Sequence, residues 1–103
     1  MTEKDLKKPK VKDDKITLEK IDKYFSLTSK ALGIVKKSIS KGKEKQANEI
    51  IEMVECYLND SVHFKDKDDF VNSYGCLNYA HGWLDCGARL KIFEVTDTKL
   101  FTI

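Results

Sequence analysis

The sequence predicts an all-α protein, an antiparallel three-helix up-down-up bundle with a short extended C-terminal tail. Three long segments carry apolar residues at the three- and four-residue spacing of amphipathic helices. Two short polar connections separate them. The chain has 103 residues, 41% of them hydrophobic and 35% charged, which fits one folded domain rather than a disordered chain.

Residues 1–14 are predicted to be a flexible lysine-rich arm before a single domain at 15–103. Residues 1–15 hold six lysines and four acidic residues, and the rest of the chain is balanced, so the net charge of +2 lies at this end. A basic tail can bind nucleic acid. Because this arm has no aromatic residue to stack on a base and its lysines are interrupted by acids, a solvated terminus is the favoured interpretation.

The first helix is predicted at about residues 15–39, with Asp14 as its N-cap. Its inner seam has one polar interruption, Thr28, and repeats every three or four residues: Leu18, Ile21, Phe25, Thr28, Leu32, Val35 and Ile39. A second row widens this seam as a bundle helix requires. A turn follows with Gly42 as the C-cap, and the lysines between Lys36 and Lys45 make this corner basic. Such a corner can bind an anion or a nucleic-acid backbone, although a solvated corner is favoured.

The second helix is predicted at about 44–62, with an apolar row at Ala47, Ile50, Val54 and Tyr57 and an acidic outer face. A loop follows in which Asp66, Asp68 or Asp69 caps the third helix.

The third helix is predicted at about 69–93 and carries two apolar stripes, whereas an ordinary surface helix has one. We therefore expect it to be covered on two sides, by the other helices and by the tail, a second subunit or a partner. The packing or interface stripe comprises Cys76, Tyr79, Ala80, Trp83, Gly87 and Leu90. Gly82 and Gly87 each cost about 1 kcal/mol in a helix interior, which predicts close approach of another backbone. The tail, 94–103, is strand-like in composition and is expected to fold back on the bundle or to pair with another chain.

A polar stripe on the third helix forms the candidate site: Tyr74, Asn78, His81, Asp85 and Arg89. Residues four apart on a helix can reach each other, so this stripe is either a structural hydrogen-bond network or a ligand pocket. The network is favoured because buried polar groups need partners. Catalysis and metal binding are disfavoured, since His81 and Asp85 are too few for a closed zinc site.

Several classes of function are disfavoured by the sequence. The three cysteines, Cys56, Cys76 and Cys86, show no CxxC spacing and argue against a disulfide framework or a thiolate zinc site. No nucleophile motif, P-loop or dinucleotide fingerprint is present, so we expect no enzyme and no cofactor. No apolar run approaches the roughly 20 residues of a membrane span, and no signal peptide is recognised, so we expect a cytoplasmic protein.

Residues 79–90 hold the only tryptophan and the only arginine of the chain. Their pattern, Tyr-x-His-Gly-x-Leu-Asp-x-Gly-x-Arg-Leu, resembles the signature of a family of small archaeal proteins catalogued as domain of unknown function 357. The likeness covers most of residues 16–95, where the amphipathic helices match the family in pattern only. Lys91 stands where glycine is common in the family. The resemblance implies a three-helix bundle and no established activity; relatives that carry the module beside a nucleotidyltransferase-like domain imply an accessory role near nucleotide chemistry.

The leading expectation is a non-enzymatic protein-interaction or homodimerisation module that uses the second face of the third helix. One alternative is a small-ligand or nucleotide-related binding domain built on the polar stripe. Another is weak nucleic-acid binding through the arm and the Lys36–Lys45 corner.

Overall fold

The computed structural model describes residues 13–103, in which three α-helices pack around one core. They are α1 (Leu18–Lys36), α2 (Glu44–Asp66) and α3 (Phe70–Arg89). α2 and α3 form the most extensive helix pair. No strand occurs within 13–103, so the predicted all-α three-helix bundle is confirmed. Most of the predicted arm, residues 1–12, lies outside the described residues.

α1 is shorter than predicted at both ends. It begins at Leu18 because Thr17, rather than Asp14, is the N-cap: its hydroxyl accepts a hydrogen bond from the Lys20 amide at 3.2 Å. It ends at Lys36 instead of Ile39 because the next residues bond to the chain that follows α3. The Ser40 amide donates to the Ile92 carbonyl (2.9 Å), and the Glu94 amide donates to the Ser38 carbonyl (2.7 Å).

The connection between α1 and α2 also differs from the prediction at Gly42. Gly42 is not the C-cap of α1, which is Lys37, but it has a φ of 84° within the turn that precedes α2. Such a φ favours glycine.

α2 continues to Asp66, four residues beyond its predicted end. The next connection is short because Asp68 adopts a left-handed φ of 59° and the Asp69 amide donates to the Phe64 carbonyl at 2.9 Å. This is the arrangement of a Schellman C-cap. Asp69 then caps α3 by accepting from the Asn72 amide at 3.1 Å, which confirms the expectation of an aspartate cap.

α3 ends at Arg89, four residues before the predicted Phe93. Its C-cap is a second Schellman motif, in which Lys91 has a φ of 59° and the Ile92 amide donates to the Gly87 carbonyl at 2.9 Å. The left-handed position therefore holds a lysine where glycine would be least strained. Phe93, beyond this cap, is buried and forms an isolated antiparallel bridge with Ile39.

The tail folds back over the bundle on the side shared by α1 and α3. Leu100 and Phe101 are buried in the core, after a turn in which the Asp97 carboxylate accepts from the amides of Lys99 (2.8 Å) and Leu100 (3.2 Å). Of the two expectations for the tail, folding back within the chain is the one that the structure shows. The tail therefore supplies part of the second cover of α3.

Candidate functional site

His81 connects α1, α3 and the tail through both of its ring nitrogens. Nε2 lies 2.6 Å from the Leu100 carbonyl oxygen, and Nδ1 lies 3.0 Å from the Thr28 hydroxyl oxygen. Because a carbonyl can only accept, Nε2 carries the hydrogen, and in the neutral ring Nδ1 accepts from the Thr28 hydroxyl. Thr28 is 1% exposed. The polar interruption in the α1 seam is therefore the buried partner of His81.

Asp85 provides a second tie to the tail, one helical turn after His81. Its Oδ1 accepts from the Thr102 amide at 3.0 Å and lies 3.7 Å from His81 Nε2. Both side chains are partly exposed. His81 and Asp85 thus hold the backbone of the tail on either side of the buried Phe101.

The other members of the predicted polar stripe do not join this network. Tyr74 packs edge-on against Tyr24, with ring centroids 5.4 Å apart. Asn78 and Arg89 are exposed, and within residues 13–103 Arg89 has no carboxylate oxygen within ion-pair distance, so the predicted contact with Asp85 is absent.

The partners that the sequence analysis missed are Leu100 and Thr102, which act through backbone atoms. Backbone carbonyl and amide groups are present at every residue, so no sequence signal marks them. Thr28 did carry a signal, since it is the polar residue in an apolar seam.

A cleft of about 310 Å³ opens beside His81, between α1, α3 and the tail. Asn78, Asp85 and Lys99 contribute polar groups to its lining, and Tyr24 and Leu27 contribute apolar walls. Since both nitrogens of His81 and Oδ1 of Asp85 already bond within the chain, a ligand here would compete with the tail for these atoms.

The predicted packing stripe divides into an inner and an outer part. Ala80 and Gly87 are buried in the core. Cys76 and Trp83 are partly buried beside α2, whereas Tyr79 is 53% and Leu90 64% exposed. The inner part therefore packs within the chain, and Tyr79 and Leu90 of the outer part face solvent.

Aromatic contacts connect the outer part of this stripe to α2. The Tyr79 ring lies edge-on to Tyr57 at 4.6 Å and to Trp83 at 6.3 Å, measured between centroids. Desolvation, with a smaller contribution from Tyr79, raises the pKa of Tyr57. A groove of about 510 Å³ continues between α2 and α3 past Trp83. We name these residues the aromatic face: Met53, Tyr57, Tyr79, Trp83, Cys86 and Leu90.

The glycines of α3 have unlike surroundings. A Cβ on Gly87 would lie 2.5 Å from Cε2 of Phe93 and 3.2 Å from Cδ1 of Ile50. The predicted close approach is thus present at Gly87, although side chains make it rather than a backbone. At Gly82 and Gly75 a Cβ would meet nothing within 4 Å, so the prediction for Gly82 is wrong within the chain.

Cys76 and Lys36 have defined surroundings within the described residues. Partial burial, with smaller contributions from Asp60 and Asp69, raises the pKa of the Cys76 thiol, which disfavours the nucleophilic thiolate. Across residues 13–103, no cluster of three or more His, Cys, Asp or Glu side chains is placed to hold a metal ion. At the basic corner, Lys36 already pairs with Glu55 at 3.0 Å. None of the helices described is long and apolar enough to cross a membrane.

Comparison with known proteins identifies a family to which the chain is similar. The model described as "Protein of unknown function (DUF357)" matches residues 23–93, from the first turns of α1 to the bridge residue Phe93. Neither the curated proteins nor the solved structures contain a match to this chain.

Proposed function

Because this chain belongs to the DUF357 family of proteins of unknown function, we propose its role from its surface: it is a non-enzymatic protein-interaction module that binds through the aromatic face. The proposal includes an archaeal origin, which rests on the family resemblance of the signature at 79–90. It also includes a cytoplasmic location, with which the three free cysteines are consistent.

The observation that carries the proposal is the continuity of the exposed apolar surface. Isolated exposed apolar residues are normal on any protein. Here Tyr79 and Leu90 are each more than half exposed, and Trp83 lies between them on the same side of α3. Contiguous patches with tyrosine, tryptophan and methionine are typical of protein interfaces. An aromatic anchor such as Trp83 is the kind of residue that contributes most of the binding free energy.

Photo-cross-linking from two native cysteines tests this proposal. Cys86 lies on the aromatic face, Cys56 lies on the outer side of α2, and both are exposed. A benzophenone maleimide is attached to Cys86 in a Cys56→Ser/Cys76→Ala variant, or to Cys56 in a Cys76→Ala/Cys86→Ser variant. We expect a protein adduct of defined mass from Cys86 alone, with purified protein or with extract of the source cells. No adduct from Cys86 in either setting, or equal adducts from both positions, would refute the proposal.

A small-ligand site in the His81 cleft is the second candidate. Asn78, Asp85 and Lys99 converge there around an apolar wall, which is the composition of many small-molecule sites. A ligand that raises the melting temperature, and loses this effect in Asn78→Ala, would support it. Protection that is unchanged by Asn78→Ala would place the ligand elsewhere.

Nucleic-acid binding through the arm and the Lys36–Lys45 corner is the third alternative, and it predicts steeply salt-dependent affinity for RNA or DNA. No binding at low salt would remove it.

A further inference from the structure

We propose that the partner of this module is a second copy of the chain, with the two α3 helices packed antiparallel about a twofold axis between residues 80 and 81. This inference rests on the proposed function and names its partner and register. Three observations support it: the outward side of α3 is exposed, this side is complementary to itself in an antiparallel arrangement, and the two ends of the helix carry opposite charges.

The outward side of α3 is a strip of exposed residues that no other segment of the described chain buries. Its residues are all exposed and recur every three or four positions, so they lie along one side of the helix. They are Val71, Gly75, Tyr79, Gly82, Cys86 and Leu90. Val71 is 72% exposed, the largest value among the large apolar residues within 13–103. The strip overlaps the aromatic face at Tyr79, Cys86 and Leu90 and continues past it to the start of the helix.

This strip is complementary to itself in one antiparallel register. In a twofold interface, if residue i contacts residue j of the other copy, then j also contacts i. The pairs Val71 with Leu90, Gly75 with Cys86, and Tyr79 with Gly82 share one midpoint, between residues 80 and 81. The two aliphatic side chains meet at the ends. Each glycine, which has no atom of its own chain near its Cβ position, meets a larger side chain.

The charges at the ends of α3 favour the antiparallel direction. At its N-terminal end Asp66, Asp68 and Asp69 outnumber Lys67, and Lys65 there is paired with Asp22 at 3.0 Å. Arg89 and Lys91 lie at its C-terminal end. In the proposed register Arg89 lies opposite Asn72, one turn from Asp68 and Asp69 of the other copy. A parallel pair would place like charges together, which is unfavourable. Antiparallel packing also places the positive end of each helix dipole beside the negative end of the other.

Disulfide trapping tests the register. Gly75→Cys is introduced with Cys56→Ser and Cys76→Ala, and Cys86 is retained. Residues 75 and 86 are about 16 Å apart along one helix, too far for a disulfide within the chain. We expect mild oxidation to give a covalent dimer in which peptide mapping links position 75 to position 86. Matched controls that carry only the thiol at 75 or only that at 86 are expected to stay unlinked. Links of 75 to 75 or 86 to 86 would indicate a parallel pair and overturn the proposal.

Sedimentation velocity of the unmodified chain and of Gly82→Leu tests the interface itself. A Cβ at position 82 meets nothing within 4 Å in its own chain, whereas the leucine side chain would collide with Tyr79 of the second copy, so we expect a folded monomer. Gly33→Leu, on α1 and equally unobstructed, is the control that keeps the dimer. A dimer unaffected by Gly82→Leu, or an unmodified chain that is monomeric at millimolar concentration, would overturn the second-copy proposal.

The cross-linking from Cys86 separates this failure from failure of the proposed function. A monomer whose Cys86 adduct contains a different protein leaves the interaction role standing and rejects the second copy. A monomer whose Cys86 forms no adduct rejects both.

Discussion

Replacement of Gly87 by alanine tests the close packing of α3 against Phe93 in the segment that follows it. A Cβ at this position would lie 2.5 and 2.7 Å from two atoms of the Phe93 ring. The ring cannot turn away freely, because Phe93 is 1% exposed and its neighbours Ile92 and Glu94 bond to Ser40 and Ser38. The new methyl group therefore forces the core to repack.

The expected change in the free energy of unfolding for Gly87→Ala is the sum of two opposing terms. Alanine in a helix interior is favoured over glycine by about 1 kcal/mol, whereas overpacking a buried site costs about 1–3 kcal/mol. Gly87→Ala is therefore expected to be neutral or to destabilise by up to about 2 kcal/mol. Gly33→Ala, on an open part of α1, keeps the first term only and should stabilise by about 1 kcal/mol. The difference between the two variants, about 1–3 kcal/mol, measures the contact.

Urea and thermal unfolding followed by circular dichroism measure both variants. One kcal/mol corresponds to about 4–8 °C in a domain of 60–100 residues. A double-mutant cycle with Phe93→Leu tests whether the Phe93 ring causes the destabilisation, because leucine lacks the ring atoms that meet the Cβ. Gly87→Ala should destabilise the Phe93→Leu protein less than it destabilises the unmodified protein. Equal stabilisation by Gly87→Ala and Gly33→Ala would refute the reasoning, as would a cost that Phe93→Leu leaves unchanged.

Three further predictions concern the caps and the tail. Lys91→Gly should stabilise the protein by about 1 kcal/mol, because glycine adopts the left-handed φ without strain; an unchanged unfolding midpoint would contradict this. Thr17→Ala should lower the free energy of unfolding by about 1 kcal/mol, because it removes the N-cap of α1, while Asp14→Ala should change it little. A larger loss for Asp14→Ala than for Thr17→Ala would indicate that Asp14 is the N-cap, as predicted from the sequence. His81→Ala should leave the buried Thr28 hydroxyl without its partner, at about 1–3 kcal/mol, and should speed hydrogen exchange at the Phe101 and Thr102 amides; unchanged exchange would show that the tail is held without His81.

The candidate site was predicted in part. Periodicity placed His81 and Asp85 on one side of a helix, because residues four apart lie one turn apart. It also grouped them with Tyr74 and Arg89, which the structure separates, because a shared helix side does not decide which neighbour each side chain meets. The partners of His81 lie 53 and 19 residues away, beyond the reach of any local pattern.

The sequence by itself determined the three helices and the sides that α1 and α2 bury, because hydrophobic periodicity is a local property of the chain. Only the tertiary structure decided where α1 and α3 end. Residues 38–40 leave the helix to bond with 92–94, and Lys91 and Asp68 accept a left-handed backbone that sequence preference assigns to glycine. The structure also decided the role of the two stripes of α3. The side towards α1 received the tail, while the strip from Val71 to Leu90 stayed exposed because no segment of the described chain buries it, although Tyr79 packs edge-on against Tyr57 of α2.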